Sequence, residues 1–110
     1  MRSDVAVANE LARGNAEAEA RESLSELLTR TDRAALLRFM VMMRTAEERG
    51  LTLYRQGKVP GSFYDGCGQE AISVGSSFAL RPEDRMCILH RDLGAHFVRG
   101  VTPDRYLANY

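Results

Sequence analysis

The stretch Arg85-Met86-Cys87-Ile88-Leu89-His90-Arg91-Asp92-Leu93-Gly94 carries the clearest information about the fold. Its first five residues form a short, mostly apolar run after a turn signal at residues 81–84, a pattern typical of a buried strand in a parallel sheet. Such a strand needs neighbouring strands for its backbone hydrogen bonds, and the sequence indicates no second one. We therefore expect an α/β chain, mostly helical with one short parallel-type strand, that is either an N-terminal piece of a larger protein or needs a partner chain to fold.

A helical spacing of apolar residues precedes this run. The spacing predicts a long helix with Thr31 as its N-cap and Asp32 in its first turn, continuing to Gln56 and ending at Gly57. The apolar positions are Leu36, Leu37, Met40, Val41, Met42, Met43, Leu51 and Tyr54. The expected solvent-facing positions are Arg44, Glu47, Glu48 and Arg49.

The rest of the chain predicts a loop and two shorter helices. Residues 57–68 contain four glycines and a proline, which favours a shaped loop, and its Phe63 and Tyr64 either pack onto the core or face a ligand. Residues 69–80 predict a helix whose small side chains permit close approach of another backbone. Thr102-Pro103-Asp104 is typical of a helix start.

The N-terminal residues differ in composition from the rest. We expect residues 1–30 to form a polar, partly disordered arm. The first 22 residues hold few large apolar side chains, so burial cannot offset the conformational entropy that ordering would cost. A partner-binding arm is the alternative. Residues 31–110 are predicted to be the N-terminal part of one larger domain.

Composition and charge exclude several classes of protein. The chain has 110 residues, of which 45% are hydrophobic and 27% charged, and these are ordinary values for a globular protein. The 15 basic and 15 acidic residues cancel, so neither nucleic acid nor an anionic membrane is expected as a partner. No run of about 18 apolar residues exists, which excludes a membrane span. Cys67 and Cys87 predict free thiols, and we expect a reducing, cytoplasmic compartment.

The end of the predicted strand is the strongest candidate site. Ligands of α/β sheets bind beyond the carboxyl ends of the strands, where this sequence places His90, Arg91 and Asp92. Arg91 offers a fork of donors for a phosphate or carboxylate, and His90 can donate to the same group. The alternative is a structural ion pair between Arg91 and Asp92. Glu70, at the start of the second helix, is either a catalytic acid or a favourable first-turn charge.

Several short motifs occur together in one order along the chain. They are Leu53-Tyr54-Arg55-Gln56-Gly57-Lys58-Val59, Gly68-Gln69-Glu70-Ala71, Val74-Gly75, Leu80-Arg81-Pro82 with Asp84, His90-Arg91-Asp92 with Gly94, and Arg99-Gly100. From about Thr31 to Tyr110, the chain resembles the α subunit of the thiamine-diphosphate-dependent first component of 2-oxo acid dehydrogenase complexes.

The resemblance implies a fold, a reaction and partners. It implies a thiamine-diphosphate-binding α/β fold, an α2β2 assembly with a β subunit, and oxidative decarboxylation of a small 2-oxo acid. The acyl group then passes to the lipoyl group of an acyltransferase. The family's Tyr-Arg pair that holds the diphosphate falls on His90 and Arg91, so His90 replaces the usual Tyr. The loop position where many members carry a substrate-side His is Tyr64, and a frequent His after the Arg is Leu93.

The resemblance also indicates what these residues lack. The family's Mg²⁺ motif, Gly-Asp-Gly followed downstream by Asn, is absent from the 110 residues, so the metal ligands are expected beyond Tyr110. We therefore expect no catalytic residue and no metal ligand within this chain, and an inactive fragment when it is alone. The expected enzyme is a pyruvate dehydrogenase, with branched-chain and acetoin dehydrogenases as alternatives. A non-enzymatic helical interaction module is the alternative from a different class.

Overall fold

The computed structural model describes residues 13–17 and 27–109. Its helices are α1 (Arg30–Arg55), α2 (Glu70–Phe78), α3 (Leu93–Val98) and α4 (Pro103–Leu107). The chain divides into two compact units, Met1–Arg33 and Ala34–Tyr110. In the first unit, residues 13–17 are helical and exposed, and the other residues of the predicted arm up to position 26 lie outside the described part. No helix among the described residues is both long and apolar enough to cross a bilayer.

The start of α1 corrects the predicted cap. The N-cap is Thr29 rather than Thr31: the Thr29 hydroxyl lies 2.6 Å from an Asp32 carboxylate oxygen, and the Asp32 N–H donates to that hydroxyl at 3.1 Å. The Thr29 N–H also donates to the Asp32 carboxylate. This reciprocal arrangement is a capping box, which is formed by residues three apart. In the sequence Thr29-Arg30-Thr31-Asp32, only Thr29 stands three residues before Asp32, which is the spacing that the capping box requires.

The end of α1 agrees with the prediction. Gly57 has a φ of 69° and follows the last helical turn. Its N–H donates to the Tyr54 carbonyl, and the Lys58 N–H donates to the Leu53 carbonyl at 3.0 Å. These two bonds form a Schellman motif, which satisfies carbonyls at the end of the helix and favours Gly at the left-handed position.

The core lies between α1 and α3. Met43 and Ala46 of α1 are buried against Leu93 and Phe97 of α3. Three partly buried side chains, those of Phe39, Met42 and Tyr106, pack around this cluster. The predicted apolar face of α1 is wider than this core, because Leu37 and Val41 stay exposed.

The contact between α2 and α3 depends on two serines. Ser73 and Ser77 are each only 1% exposed. The Ala95 N–H donates to the Ser73 hydroxyl at 3.0 Å, and the Ser77 hydroxyl donates to the Ala95 carbonyl at 3.4 Å. The prediction that small residues admit another backbone is confirmed at these two positions. Gly75 has open space beside it, and Ser76 is exposed.

The predicted strand is not observed. Residues 85–89 have neither helix nor strand structure, and the described residues contain no strand at all. A strand is defined by its ladder of hydrogen bonds to a neighbour, and the described residues provide no such neighbour. The turn before this segment is confirmed, since the Asp84 N–H donates to the Arg81 carbonyl and the Asp84 carboxylate accepts from the Arg81 N–H. The Arg99 guanidinium donates to the Arg81 and Asp84 carbonyls and so joins this turn to the end of α3.

Candidate functional site

The two aromatic residues of the 57–68 loop have different roles. The Phe63 ring packs against Gly50 of α1 so closely that a Cβ at position 50 would overlap it. Tyr64 is half-exposed and lines a neighbouring cleft. The loop therefore packs onto the helix through Phe63, which is the first of the two predicted alternatives, and Tyr64 lines the cleft.

This cleft has a volume of about 290 Å³ and brings the predicted site residues together. Its lining residues are Tyr64, Gln69, Leu89, His90, Arg91 and Asp92. The Tyr64 and His90 rings are stacked, with centroids 5.9 Å apart and planes at 29°. The loop residue Tyr64 thus lies beside His90, although the two are 26 positions apart in the chain.

Arg91 is the cationic residue of the cleft. It is exposed, and among the described residues its guanidinium has neither an ion-pair nor a hydrogen-bond partner. The alternative of an Arg91–Asp92 ion pair is therefore wrong. The Asp92 carboxylate instead accepts from the Leu89 N–H at 3.1 Å, which stabilises the turn before α3. The guanidinium is therefore not occupied by a protein partner among the described residues, and an arginine in that state can bind an anion.

Gly66 is the point where the loop meets the turn that carries Arg91. A Cβ at position 66 would overlap the Arg91 carbonyl oxygen and would lie 2.8 Å from Met43 Cε. Only glycine permits this approach of two backbones. The position of the loop and that of the His90-Arg91 turn are therefore linked directly.

Glu47 is the residue of this region that sequence reasoning placed wrongly. The helical pattern predicts it on the solvent-facing side of α1, but its side chain is buried, with 1% of its surface exposed. Its carboxylate accepts from the Gly66 N–H at 2.9 Å and lies 3.8 Å from the Cys67 thiol, which donates to it. Burial raises the pKa of Glu47, and the Gly66 hydrogen bond partly opposes that rise. Its neighbour Glu48, which is exposed, has the same chemistry, so residue type alone could not have distinguished them.

Glu70 makes the contacts expected of a first-turn charge and does not line the cleft. Its carboxylate lies 2.5 Å from Arg44 Nε and accepts from the Gly68 N–H at 3.0 Å. The hydrogen bond from Arg44 lowers the pKa of Glu70 to about 2. Glu70 is therefore a first-turn charge of α2 that also links α2 to α1.

Three groups that do not line the cleft have metal-ligand chemistry. Their ligand atoms, from Glu47, Cys67 and Glu70, lie within 4.8 Å of one another. Glu47 already accepts a hydrogen bond from Gly66, and Glu70 is paired with Arg44. Burial is the main cause that raises the pKa of the Cys67 thiol to about 11, which disfavours the thiolate that a metal would need. Both Cys67 and Cys87 are free thiols, as the sequence predicts.

Comparison with known proteins decides the family. A sequence profile of the dehydrogenase E1 component family matches residues 37–110, which include the whole cleft and most of α1. The chain belongs to the dehydrogenase E1 component family. This assignment favours the enzyme-subunit hypothesis over the helical interaction module.

Curated relatives carry both branched-chain and pyruvate names. The Mycobacterium tuberculosis protein named 3-methyl-2-oxobutanoate dehydrogenase subunit alpha is 38% identical over 69 residues, covering 62% of this chain and 18% of its own length. The Bacillus subtilis 2-oxoisovalerate dehydrogenase subunit alpha is 39% identical over 77 residues, covering 68% of this chain and 23% of its own. The Zymomonas mobilis pyruvate dehydrogenase E1 component subunit alpha is 37% identical over 81 residues, covering 70% of this chain and 23% of its own length.

The matched residues span about a fifth of the length of these relatives. No solved structure matches the chain significantly.

Proposed function

We propose that this chain is part of the α subunit of a thiamine-diphosphate-dependent 2-oxo acid dehydrogenase, and that its cleft holds the diphosphate of the cofactor. The observation that carries the proposal is the convergence of Tyr64, His90 and Arg91 on one cleft. Residues 31–110 are then the N-terminal part of the cofactor-binding domain. Family membership, which the sequence profile establishes over residues 37–110, supports this assignment.

The residues of the cleft fit a diphosphate. Arg91 provides an unpaired guanidinium, His90 an imidazole that can donate, and Gln69 a side-chain amide. Leu89, which is 75% exposed, provides an apolar wall on the same cleft. When bound, thiamine diphosphate supplies the nucleophilic carbon and the electron sink that decarboxylation of a 2-oxo acid requires. In this proposal, Arg91 and His90 hold and orient the cofactor but do not take part in bond breaking.

Tyr64 is proposed as the substrate-side residue. It reaches the cleft from the 57–68 loop and stacks on His90, so a molecule bound beside His90 would meet the phenol ring. The proposed substrate is a small 2-oxo acid, with pyruvate and branched-chain 2-oxo acids as the two classes to compare. Relatives with names of both kinds match this chain at similar identity.

The proposed partners follow from the same assignment. They are a β subunit in an α2β2 assembly and the lipoyl acyltransferase that receives the acyl group. We propose that residues 85–89 become a strand when they lie beside strands outside these 110 residues, which would supply the hydrogen-bond ladder that they lack here. The Mg²⁺ ligands are likewise proposed to lie outside this chain, and the compartment to be the cytoplasm.

The test of the proposal is the removal of the Arg91 charge. In the complete α subunit assembled with its β partner, Arg91→Ala should weaken thiamine diphosphate binding by about 1.5–3 kcal/mol, or roughly 10- to 150-fold in Kd. Arg105→Ala is the matched control, because Arg105 is an exposed arginine of α4 that does not line the cleft. Titration calorimetry would measure both. An unchanged Kd for Arg91→Ala would refute the assignment of the cleft.

A second measurement addresses the substrate. The assembled enzyme should reduce its acceptor with pyruvate or with a branched-chain 2-oxo acid as substrate, and the ratio of the two kcat/KM values identifies the acyl class. Tyr64→Phe keeps the ring and removes only the hydroxyl. If Tyr64 faces the substrate, this change alters that ratio, whereas an unchanged ratio would remove Tyr64 from the substrate side.

A further inference from the structure

The buried carboxylate of Glu47 is a feature that the proposed function leaves unexplained. A carboxylate in the protein interior is costly unless hydrogen bonds compensate for the water that it loses. Glu47 uses its acceptor capacity on one dipeptide: it accepts from the Gly66 N–H at 2.9 Å and from the Cys67 thiol at 3.8 Å. Both partners belong to the loop that delivers Tyr64 to the cleft. The helix therefore holds the loop at Gly66-Cys67 as well as at Phe63.

The contact at Gly66 continues directly into the cleft. The Gly66 backbone, whose N–H binds Glu47, lies against the Arg91 carbonyl so closely that a Cβ at position 66 has no room. On either side of Gly66 in the chain lie the cleft residues Tyr64 and Gln69. Glu47, Gly66 and Arg91 thus form an unbroken series of contacts from the interior face of α1 to the cleft.

We propose that Glu47 is a positioning residue for the cleft: by binding the Gly66 N–H, it holds the loop against the His90-Arg91 turn. It does not contact the cleft, since it is not among the lining residues. The inference rests on the proposed function in one respect, namely that the ligand held by Arg91 is a diphosphate. The geometric part, that Glu47 sets the place of the loop relative to the turn, stands without it.

Two substitutions at position 47 separate positioning from charge. Glu47→Gln keeps the length of the side chain and an oxygen that accepts from the Gly66 N–H, but removes the charge. Glu47→Asp keeps the charge but withdraws the carboxylate from Gly66 by about 1.5 Å, one carbon–carbon bond. Positioning predicts that Gln preserves function and Asp does not. A role based on charge predicts the reverse.

Glu48 provides the matched control. It is the next residue of the same helix, it is exposed, and among the described residues its side chain makes no hydrogen bond or ion pair with the loop. Glu48→Gln and Glu48→Asp therefore repeat the two chemical changes without disturbing Gly66. The four variants are made in the complete α subunit assembled with its β partner.

The first readout does not depend on the cofactor. Hydrogen–deuterium exchange with peptide resolution would follow residues 60–69 and 86–93. Glu47→Asp should speed exchange in both segments while leaving α4 unchanged, and Glu47→Gln and the two Glu48 variants should match the wild type. Equal exchange in Glu47→Asp and the wild type, or a uniform rise over the whole chain, would overturn the positioning role.

The second readout is the Kd for thiamine diphosphate, measured by calorimetry with Mg²⁺ present. We expect about a tenfold weaker Kd for Glu47→Asp, because misplacement of Arg91 should weaken its charge-assisted hydrogen bond to the diphosphate, and a Kd within about twofold of wild type for Glu47→Gln. Equal Kd values for Glu47→Asp and wild type would overturn the functional part of the inference. If wild type itself fails to bind, the proposed function is wrong, and the exchange data alone still decide whether Glu47 holds the loop.

Discussion

Gly94 and Gly75 offer a sharp test of the packing between the helices, because the same substitution should have opposite effects at the two positions. A Cβ at Gly94 of α3 would lie 2.7 Å from Met43 Sδ, 2.7 Å from Val74 Cγ2 and 3.2 Å from Ser73 Oγ. These three residues are at most 1% exposed, so none can move into solvent. A Cβ at Gly75 of α2 would have no neighbour within 4 Å.

The expected magnitudes follow from these contacts. Overpacking a filled core costs about 1–3 kcal/mol. Alanine gains up to about 1 kcal/mol over glycine in a helix. Gly94 is the second residue of α3, where the helix gain is small, so Gly94→Ala should lower the free energy of unfolding by about 1–3 kcal/mol. Gly75→Ala, which receives only the helix gain, should raise it by about 0.5–1 kcal/mol.

The assay is urea denaturation of the full chain followed by circular dichroism. With a urea m-value of about 1–3 kcal/mol/M for a protein of this size, a difference of about 2 kcal/mol between the two variants separates their midpoints by roughly 1 M. Val74→Ala supplies an internal check, because it removes one of the methyl groups that the new Cβ would meet. In the double variant Gly94→Ala/Val74→Ala, the two effects should be less than additive.

Two results would contradict this account of the helix packing. One is a Gly94→Ala chain that is as stable as the wild type, which would mean that the α1–α2–α3 contact has room to adjust. The other is strict additivity in the double variant, which would mean that the Cβ at 94 and the Val74 methyl do not compete for the same space.

Three further outcomes are expected. Met43→Ala should cost about 2–5 kcal/mol of unfolding free energy, whereas Leu37→Ala, at an exposed position of the same helix, should cost less than about 1 kcal/mol in the same denaturation experiment. Because the pKa of Glu70 falls to about 2 on folding, its bond with Arg44 stabilises the chain above pH 4.5 and is lost as the pH falls toward 2. Glu70→Gln should reduce the loss of unfolding free energy between pH 4.5 and pH 2. The reduction should be no more than about 1 kcal/mol, because the Arg44 side chain is 46% exposed. With its pKa raised to about 11, Cys67 should react with iodoacetamide at pH 8 far more slowly in the folded chain than after denaturation, and equal rates by peptide mass spectrometry would contradict its environment.

Local signals in the sequence predict the elements that depend on local interactions. The long helix ends at Gly57 as expected, because a Schellman motif needs only the last turn and a glycine in the left-handed region. The turn at residues 81–84 and Pro103 as the first residue of α4 follow from the same kind of short-range chemistry. The predicted cap of α1 is wrong by two residues, although Thr29 and Asp32 already carry the capping-box spacing.

Features that depend on distant parts of the chain are harder to predict. The position of Glu47 inside the protein is decided by Gly66, 19 residues away, and nothing in the helical pattern distinguishes it from the exposed Glu48. The strand predicted at residues 85–89 is not observed, since an apolar run becomes a strand only beside a partner. Tyr64 and the His90-Arg91 pair are predictable from sequence only as two separate candidate positions, and the cleft that unites them comes from tertiary packing.

The stacking of Tyr64 on His90 has a consequence for how this site can vary. The resemblance expects a His at the loop position and a Tyr before the arginine, whereas this chain has the two ring types the other way round and keeps their centroids 5.9 Å apart. On that resemblance the phenol and the imidazole stand in exchanged places, and in this structure the two rings stack on each other. Reverting either position alone to the family's usual ring would leave two phenols or two imidazoles facing each other. Redesign of acyl specificity in the proposed enzyme should therefore treat positions 64 and 90 as one unit and exchange them together.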